Sequence, residues 1–348
     1  MSSLHDLPER VFKLIESGVV AEFSTLTKAG VPIDTPTYYF PSDDMQTLDL
    51  ATGLPNPAKA ERARRNPKVG LLIEGAPEEP VVVVRARAAV RDSDIQSNAI
   101  RYLAETGYKG ISHGITWEKA RLAVTYWSRI IIENKPERIY WWGSQAALDR
   151  PPQVWNAAPE TIYPVSDPAP SGTMKPSAWP VRPWQVVAKD AVESGSAAHL
   201  SAVDADGYPL PMRAHSFELT DEGFRLVIPK GTPWKLQGKA SLTFAGFRTF
   251  VGDAAPASGG AILFRVERSL PQHPSTLDTK QVLQPSEDTL AKARARLEYE
   301  AARRGQSLPV IPPEPPPRTR IALIRMARIA SAAPITGISD AHGNRTRD

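Results

Sequence analysis

Leu48–Ile73 reads LDLATGLPNPAKAERARRNPKVGLLI. Leu48, Leu50 and Ala51 form a short apolar strand that runs into the polar turn Thr52-Gly53, followed by Pro55, Asn56 and Pro57. Lys59 opens a short basic helix to Arg65, and Asn66-Pro67 stops it, because a residue before proline avoids the α region. Val69–Ile73 is the next strand. Free N–H groups at a helix start point outward, and Lys59 adds a full positive charge, so the stretch has the chemistry of a phosphate cradle. An ordinary crossover helix with a solvated basic face of Lys59, Arg62, Arg64 and Arg65 is the alternative, and the stretch alone leaves both open.

Outward from this stretch, Leu7, Val11, Leu14 and Ile15 recur at helical spacing within Leu4–Ser17, which Gly18 ends. Strands are expected over Val19–Thr25 and Pro32–Phe40, joined by the turn Thr27-Lys28-Ala29-Gly30. VVVVRARAAV, residues 81–90, is a long strand whose Arg85 and Arg87, with Arg91 beyond, are expected on one solvated face. Helices are expected over Asp94–Thr106 and Trp117–Val124, and strands over Trp127–Glu133 and Arg138–Trp142, joined by Asn134-Lys135-Pro136-Glu137. About six strands with inserted helices make a barrel-like β pattern and not a regular βαβ alternation.

Residues 151–183 are rich in Pro, Ser, Ala and Thr and read as a linker or wrapped arm. The opening pattern then returns. Ser17, Gly18, Ala21, Ser24, Gly30 and Pro32 match Ser194, Gly195, Ala198, Ser201, Gly207 and Pro209 at a constant offset of 177. Lys68, Leu71 and Gly75 match Lys239, Leu242 and Gly246 at an offset of 171. The chain is two copies of one unit, and the second is shorter where the first carries Thr52, Asn56 and Lys59. The expected organisation is a first domain over 1–150, the linker 151–183, a diverged second domain over 184–275, and a C-terminal part over 276–348. That last part holds a helix from Ser286 to Arg304 with the stripe Leu290, Ala293, Leu297 and Ala301, a polyproline-like stretch over 309–317, and a basic arm over 318–333 expected to pack on another subunit.

Composition limits the function. The 348 residues carry 42 basic and 38 acidic side chains, a net +4 too weak and too spread for nucleic-acid binding. There is no cysteine, which excludes disulfides and thiolate chemistry. No signal peptide or membrane span is read, so a cytoplasmic protein without nucleic-acid or membrane partners is expected. His5, His113, His199, His215, His273 and His342 show no ligand spacing, so no metal site is expected. His199 and His215 are placed to face each other on neighbouring strands. Trp127, Trp141 and Trp142 read as core; of Tyr38 and Tyr39, Tyr38 is expected to face inward; Arg129 reads as a surface salt bridge or as a contact to an anion.

The motifs Ala29-Gly30-x-Pro32, Pro36-Thr37-Tyr38, Leu50-Ala51-Thr52, Lys59, Arg65-Asn66-Pro67-Lys68-Val69 and Pro136-Glu137-Arg138-Ile139-Tyr140-Trp141-Trp142, in this order, resemble the pyridoxamine 5′-phosphate oxidase-like family of FMN-binding split barrels. The resemblance covers 10–143, and 184–275 mainly through the repeat. It implies a mainly β fold of two tandem split barrels with inserted helices, with FMN held where barrels meet, within one chain or between two chains of a homodimer. It implies that Thr52, Asn56 and Lys59 hold the FMN phosphate and that Thr35, Pro36, Thr37 and Tyr38 line the ring. Oxidases of the namesake type carry an Arg-Lys pair where this chain has Ala58-Lys59, and an arginine where it has Pro36, although Arg213 stands near that position in the second copy. These departures argue against the vitamin oxidase reaction itself. The expected function is an FMN-dependent oxidoreductase acting on a small organic substrate; the alternatives are a non-catalytic flavin- or haem-binding protein, or a structural tandem barrel with a vestigial site.

Overall fold

The computed structural model describes residues 3–18, 20–106, 116–175, 179, 181–244, 248–271 and 287–319. The fold is mainly β, two split barrels in tandem with helices inserted. In the first, β1 (Val20–Leu26), β2 (Pro32–Pro41), β3 (Leu48–Gly53), β4 (Lys68–Glu74), β5 (Val81–Arg91) and β6 (Arg129–Trp142) run in the order β3-β2-β1-β4-β5-β6, and a β3–β6 ladder closes the ring. A short strand β7 (Gln153–Asn156) extends the sheet beyond β6. Alternation drives Phe23, Leu48, Leu50, Leu71, Val84 and Ile132 into one core. Helix α1 (Glu9–Glu16) adds Leu14 and Ile15, and α2 (Ala58–Arg65) adds Ala60 and Ala63. Helices α3 (Ile95–Thr106), α4 (Trp117–Ala120) and α5 (Val124–Trp127) build a smaller outer cluster with Phe40 and Ile131.

Three expectations change here. The first helix starts at Glu9 after a 3₁₀ turn, because Leu7 before Pro8 is extended. The single helix expected over Trp117–Val124 is the pair α4 and α5. The two strands expected around Asn134–Glu137 are one continuous strand, β6. Arg85 pairs with Arg138 and Ala86 with Pro136, so Glu137 is the extra residue of a bulge, a place where a sheet tolerates proline.

The second unit contains α6 (Trp184–Glu193), β8 (Ala198–Val203), β9 (Pro209–Arg213), β10 (Ser216–Thr220), β11 (Gly223–Val227), β12 (Gly238–Phe244), β13 (Arg248–Pro256) and β14 (Ile262–Ser269). Its order, β10-β11-β14-β13-β12-β8-β9, repeats the ring of the first unit as a half-barrel. The counterpart of β2 is broken into β9 and β10. At the break, Ala214 N–H donates to Ala198 O of β8, and His215 N–H donates to Val227 O of β11. Phe224, Phe244 and Phe250 fill its centre, the last two edge-to-face at 6.0 Å.

The barrels share a core. Leu72, Val83 and Trp142 from the outer face of the first pack with Leu200, Tyr208 and Met212 of the second. At Gly70, a Cβ would lie 1.9 Å from Pro209 O, so the approach requires glycine. Of the arginine face of β5, Arg85 is docked, not solvated, while Arg87 and Arg91 stay partly exposed. Arg85 is 5% exposed, ion-paired to Asp206 at 2.7 Å and Asp204 at 3.4 Å, and lies 4.1 Å from the Tyr208 ring centre. The β8–β9 turn of the second barrel supplies all three partners.

Between the barrels, residues 157–175 run over the first one. Ser166 Oγ accepts from Val90 N–H at 3.0 Å, and Asp167 Oδ2 accepts from Asp92 and Ser93 N–H at 2.8 and 2.9 Å. Helix α7 (Glu287–Arg303) buries Leu297 and Ala301 while Leu290 is 54% exposed, and Arg303 and Arg304 face Glu61 of α2 at 3.6 and 3.5 Å. The following chain crosses α3 and α4: Trp117 Nε1 donates to Pro313 O at 2.8 Å. Of the basic arm expected over 318–333, residues 320–333 lie outside the described residues.

Candidate functional site

β3 ends where the cradle begins. Thr52 pairs with Ile130 and Gly53 with Arg129. Asn56 N–H closes the turn onto Gly53 O at 2.9 Å, Thr52 Oγ1 donates to Asn56 O at 3.4 Å, and Pro57 caps α2 without a side-chain hydrogen bond. The first helical bond is Glu61 N–H to Pro57 O, which leaves the N–H groups of Ala58, Lys59 and Ala60 without helical acceptors.

Lys59 is half-buried and forms no hydrogen bond or ion pair among the described residues. Burial pushes its pKa down to about 7; Arg62 and Arg129 push the same way, and Glu22 opposes them. Arg62 is engaged, its Nε donating to Thr25 Oγ1 at 2.8 Å. Burial, then Arg65, push the Arg62 pKa down to about 10. Arg129 lies 4.4 Å from the Tyr102 ring centre and 4.5 Å from that of Tyr126, and its buried Nε has no hydrogen-bond partner. It is not a surface salt bridge: no carboxylate pairs with it among the described residues. Burial, then Tyr102, hold the Tyr126 phenol above its ordinary range, and Tyr38 adds in the same direction. Cations therefore converge on the start of α2 with one carboxylate, Glu22, in electrostatic reach of Lys59.

The four residues expected along the ring divide between two faces. Pro36 and Tyr38 pair with Glu22 and Val20 on the outer face of β2, whereas Thr35 and Thr37 pair with Phe23 and Ala21, which belong to the barrel core. Tyr38 points outward, 60% exposed, and Tyr39 is the inward ring, its hydroxyl donating to Ile15 O at 2.9 Å. The expectation for this pair is reversed: the β2–β3 register that closes the barrel puts Tyr39 opposite the core residue Leu50. Thr35 Oγ1 is buried without a partner, and Asn56 is half-buried beside the cradle. Thr52 and Lys59 flank the same turn. Arg213 faces Glu74 at 2.6 Å on the second barrel's side and connects to Lys59 through charges between the barrels.

That connection was not legible from motifs. His199 lies between Glu22 Oε1, 3.2 Å from its Nδ1, and Glu74 Oε1, 3.0 Å from its Nε2. Burial opposes charge on His199, but the hydrogen bonds to Glu22 and Glu74 outweigh it and push its pKa up to about 10. Beside them, Ser201 Oγ donates to Asp34 Oδ2, and burial, reinforced by Glu22, pushes the Asp34 pKa up to about 7. His215 does not face His199; it follows β9, beyond the strand pairing, and its Nε2 meets Asp149 Oδ1 at 3.0 Å. The available signal was the repeat itself, since Glu22 and His199 stand at the 177 offset.

Among the described residues no cluster of His, Asp and Glu gathers to hold a metal ion, and no helix is long and apolar enough to cross a membrane. No protein-family model and no curated protein matches the chain. In solved structures it is similar to pyridoxamine 5′-phosphate oxidase-like, FMN-binding split-barrel proteins. A candidate pyridoxamine 5′-phosphate oxidase from Listeria innocua is 21% identical over 39% of this chain and 98% of its own, with a TM-score of 0.29. General Stress Protein 26 from Bacillus anthracis is 16% identical over 43% and 97%, with a TM-score of 0.29. A pyridoxamine 5′-phosphate oxidase-related, FMN-binding protein from Nostoc punctiforme is 12% identical over 35% and 72%, with a TM-score of 0.26. Identities this low concern fold alone.

Proposed function

We propose that the chain binds FMN at the start of α2 and is a flavin-dependent oxidoreductase acting on a small organic substrate. The observation that carries this reading is the pair Lys59 and Arg129, two cations without an anionic partner among the described residues, beside the unbonded N–H groups of α2. A partly buried cation without an ion-pair partner is costly, and a phosphate supplies that partner. Lys59 holds the phosphate, Thr52 offers its hydroxyl, and Asn56 sets the turn between them. On the outer face Tyr38 is exposed and available to the ring, with the buried Pro36 beside it. The flavin supplies hydride or electron transfer when bound; the chain supplies placement and electrostatics. Pairing of two chains belongs to the same proposal, supported by the exposed cross-strand pair Val20 and Tyr38 at the cradle's edge.

A non-catalytic flavin- or haem-binding protein is the second reading. It is favoured by one feature: Glu22, the carboxylate that acts on Lys59, and His199 are buried and bonded to each other. Purified protein should show flavin absorbance near 450 nm or acquire it with added FMN, and Lys59→Ala should weaken this. Protein that ignores FMN removes the first reading. Flavin binding without turnover by reductants and acceptors leaves the second.

A further inference from the structure

Three cations point at the cradle, and they are not equivalent. The Arg62 Nε is committed to Thr25. Lys59 is a compact point charge on a flexible stem. Arg129 lies against two rings: the Tyr102 and Tyr126 ring centres are 4.4 and 4.5 Å from its guanidinium carbon, which restrains the fork. Its cross-strand partner is Gly53, where even a Cβ would approach Nη1 to 3.3 Å, tighter than ordinary contact. Glycine at this position spares the fork that crowding, at the strand end that feeds the Pro55-Asn56-Pro57 turn. The Nε is buried with no acceptor, an orphan that native structures rarely leave.

We propose that Arg129 is a specificity-determining ligand of the cradle, which takes a phosphate monoester in bidentate fashion while Lys59 neutralises its second charge. The inference rests on the reading of the cradle as a phosphate site and adds to it a residue from β6, supplied across the strand pair from Gly53. The fork replaces the second cation that Ala58 does not provide next to Lys59. Two parallel N–H groups of the guanidinium match two oxygens of a tetrahedral phosphate, whereas an ammonium at the same place would form single, unaligned bonds.

The test compares FMN with riboflavin, which lacks the phosphate, on the full chain. Arg129→Gln should weaken FMN about tenfold or more and leave riboflavin binding unchanged, the size expected for losing hydrogen bonds to a charged group. Arg129→Lys should recover only part of the loss, and Gly53→Ala should weaken FMN with Arg129 intact. If Arg129→Gln does not fold, Arg129→Lys decides alone, because it keeps the stacked cation: a selective drop for FMN supports the proposal and wild-type affinity overturns it. Equal losses for FMN and riboflavin also overturn it, since they mark a structural role. Wild-type FMN affinity in Arg129→Gln beside a loss in Lys59→Ala sinks the role of Arg129 and keeps the cradle. Wild-type protein that binds neither FMN nor inorganic phosphate sinks both.

Discussion

Glu22 and His199 occupy the same place in the two copies of the repeat, and they meet: Glu22 Oε1 lies 3.2 Å from His199 Nδ1 at the barrel interface. Two-fold assemblies bring equivalent positions together at their axis, and a tandem chain does this within one molecule. Divergence then allowed the two residues at one position to carry opposite charge. The same contact organises Glu74, Arg213, Asp34 and Ser201 around it.

Removing His199 leaves the buried Glu22 carboxylate without its partner, next to Glu74, which keeps Arg213. His199→Ala should destabilise the chain by about 3–5 kcal/mol, the cost of breaking a buried ion pair. Chemical denaturation measures it, and adding Glu22→Gln to His199→Ala should recover part of the loss. The pH dependence follows from the raised pKa. His199 contributes fully below its unfolded value of 6.5, and the contribution is lost as pH rises through about 10. The difference in stability between wild type and His199→Ala should therefore shrink from neutral to alkaline pH; a difference that grows would contradict the pairing.

Lys59 gives phosphate binding a pH signature. Its amine loses its proton near pH 7 in the free chain, and a bound dianion requires the charged form. A phosphate monoester is fully ionised only above its own second pKa near 6. FMN affinity should therefore be greatest between about pH 6 and 7 and fall above that, by up to about tenfold per unit, until the pKa of the bound form is reached. Titrations at several pH values check this, and Lys59→Ala should flatten the alkaline limb.

Gly70 tests the barrel interface apart from charge. A methyl there would lie 1.9 Å from Pro209 O, and backbone cannot swing aside as a side chain does. Gly70→Ala should destabilise by about 1–3 kcal/mol or more. A thermal shift indistinguishable from wild type would mean that the barrels sit farther apart than described.

Tyr39→Phe removes the hydroxyl that ties β2 to the end of α1 and leaves the buried Ile15 carbonyl without that donor. The expected loss is about 1–3 kcal/mol. Tyr38→Phe, on the exposed face, should leave stability unchanged, so the two variants together test which ring faces inward.

Much of this architecture is written locally. Alternating apolar residues define the strands, Asn66-Pro67 ends α2, and the return of Gly30 and Pro32 as Gly207 and Pro209 announces the second copy. Thr52, Asn56 and Lys59 could be gathered at one turn because they are close in the chain, where backbone preference alone sets geometry.

Contacts across the interface are different in kind. Period-two alternation assigns residues to two faces, but β1, β2 and β5 are covered on both, so it does not say whether Tyr38 or Tyr39 meets the barrel core, or that Arg85 meets Asp206 and not water. Pro136 reads locally as a break and becomes tolerable only because a bulge opposite Arg85 and Ala86 absorbs it. The sequence by itself determined most strands of the first barrel, the turn before α2 and the duplication, since these depend on neighbours in the chain; the continuity of β6 and the break between β9 and β10 came only with the fold. The tertiary structure alone decided which charges are buried, which are paired, and which, like Lys59 and Arg129, have no ion-pair partner among the described residues, because those energies depend on distance and dielectric between residues far apart in sequence.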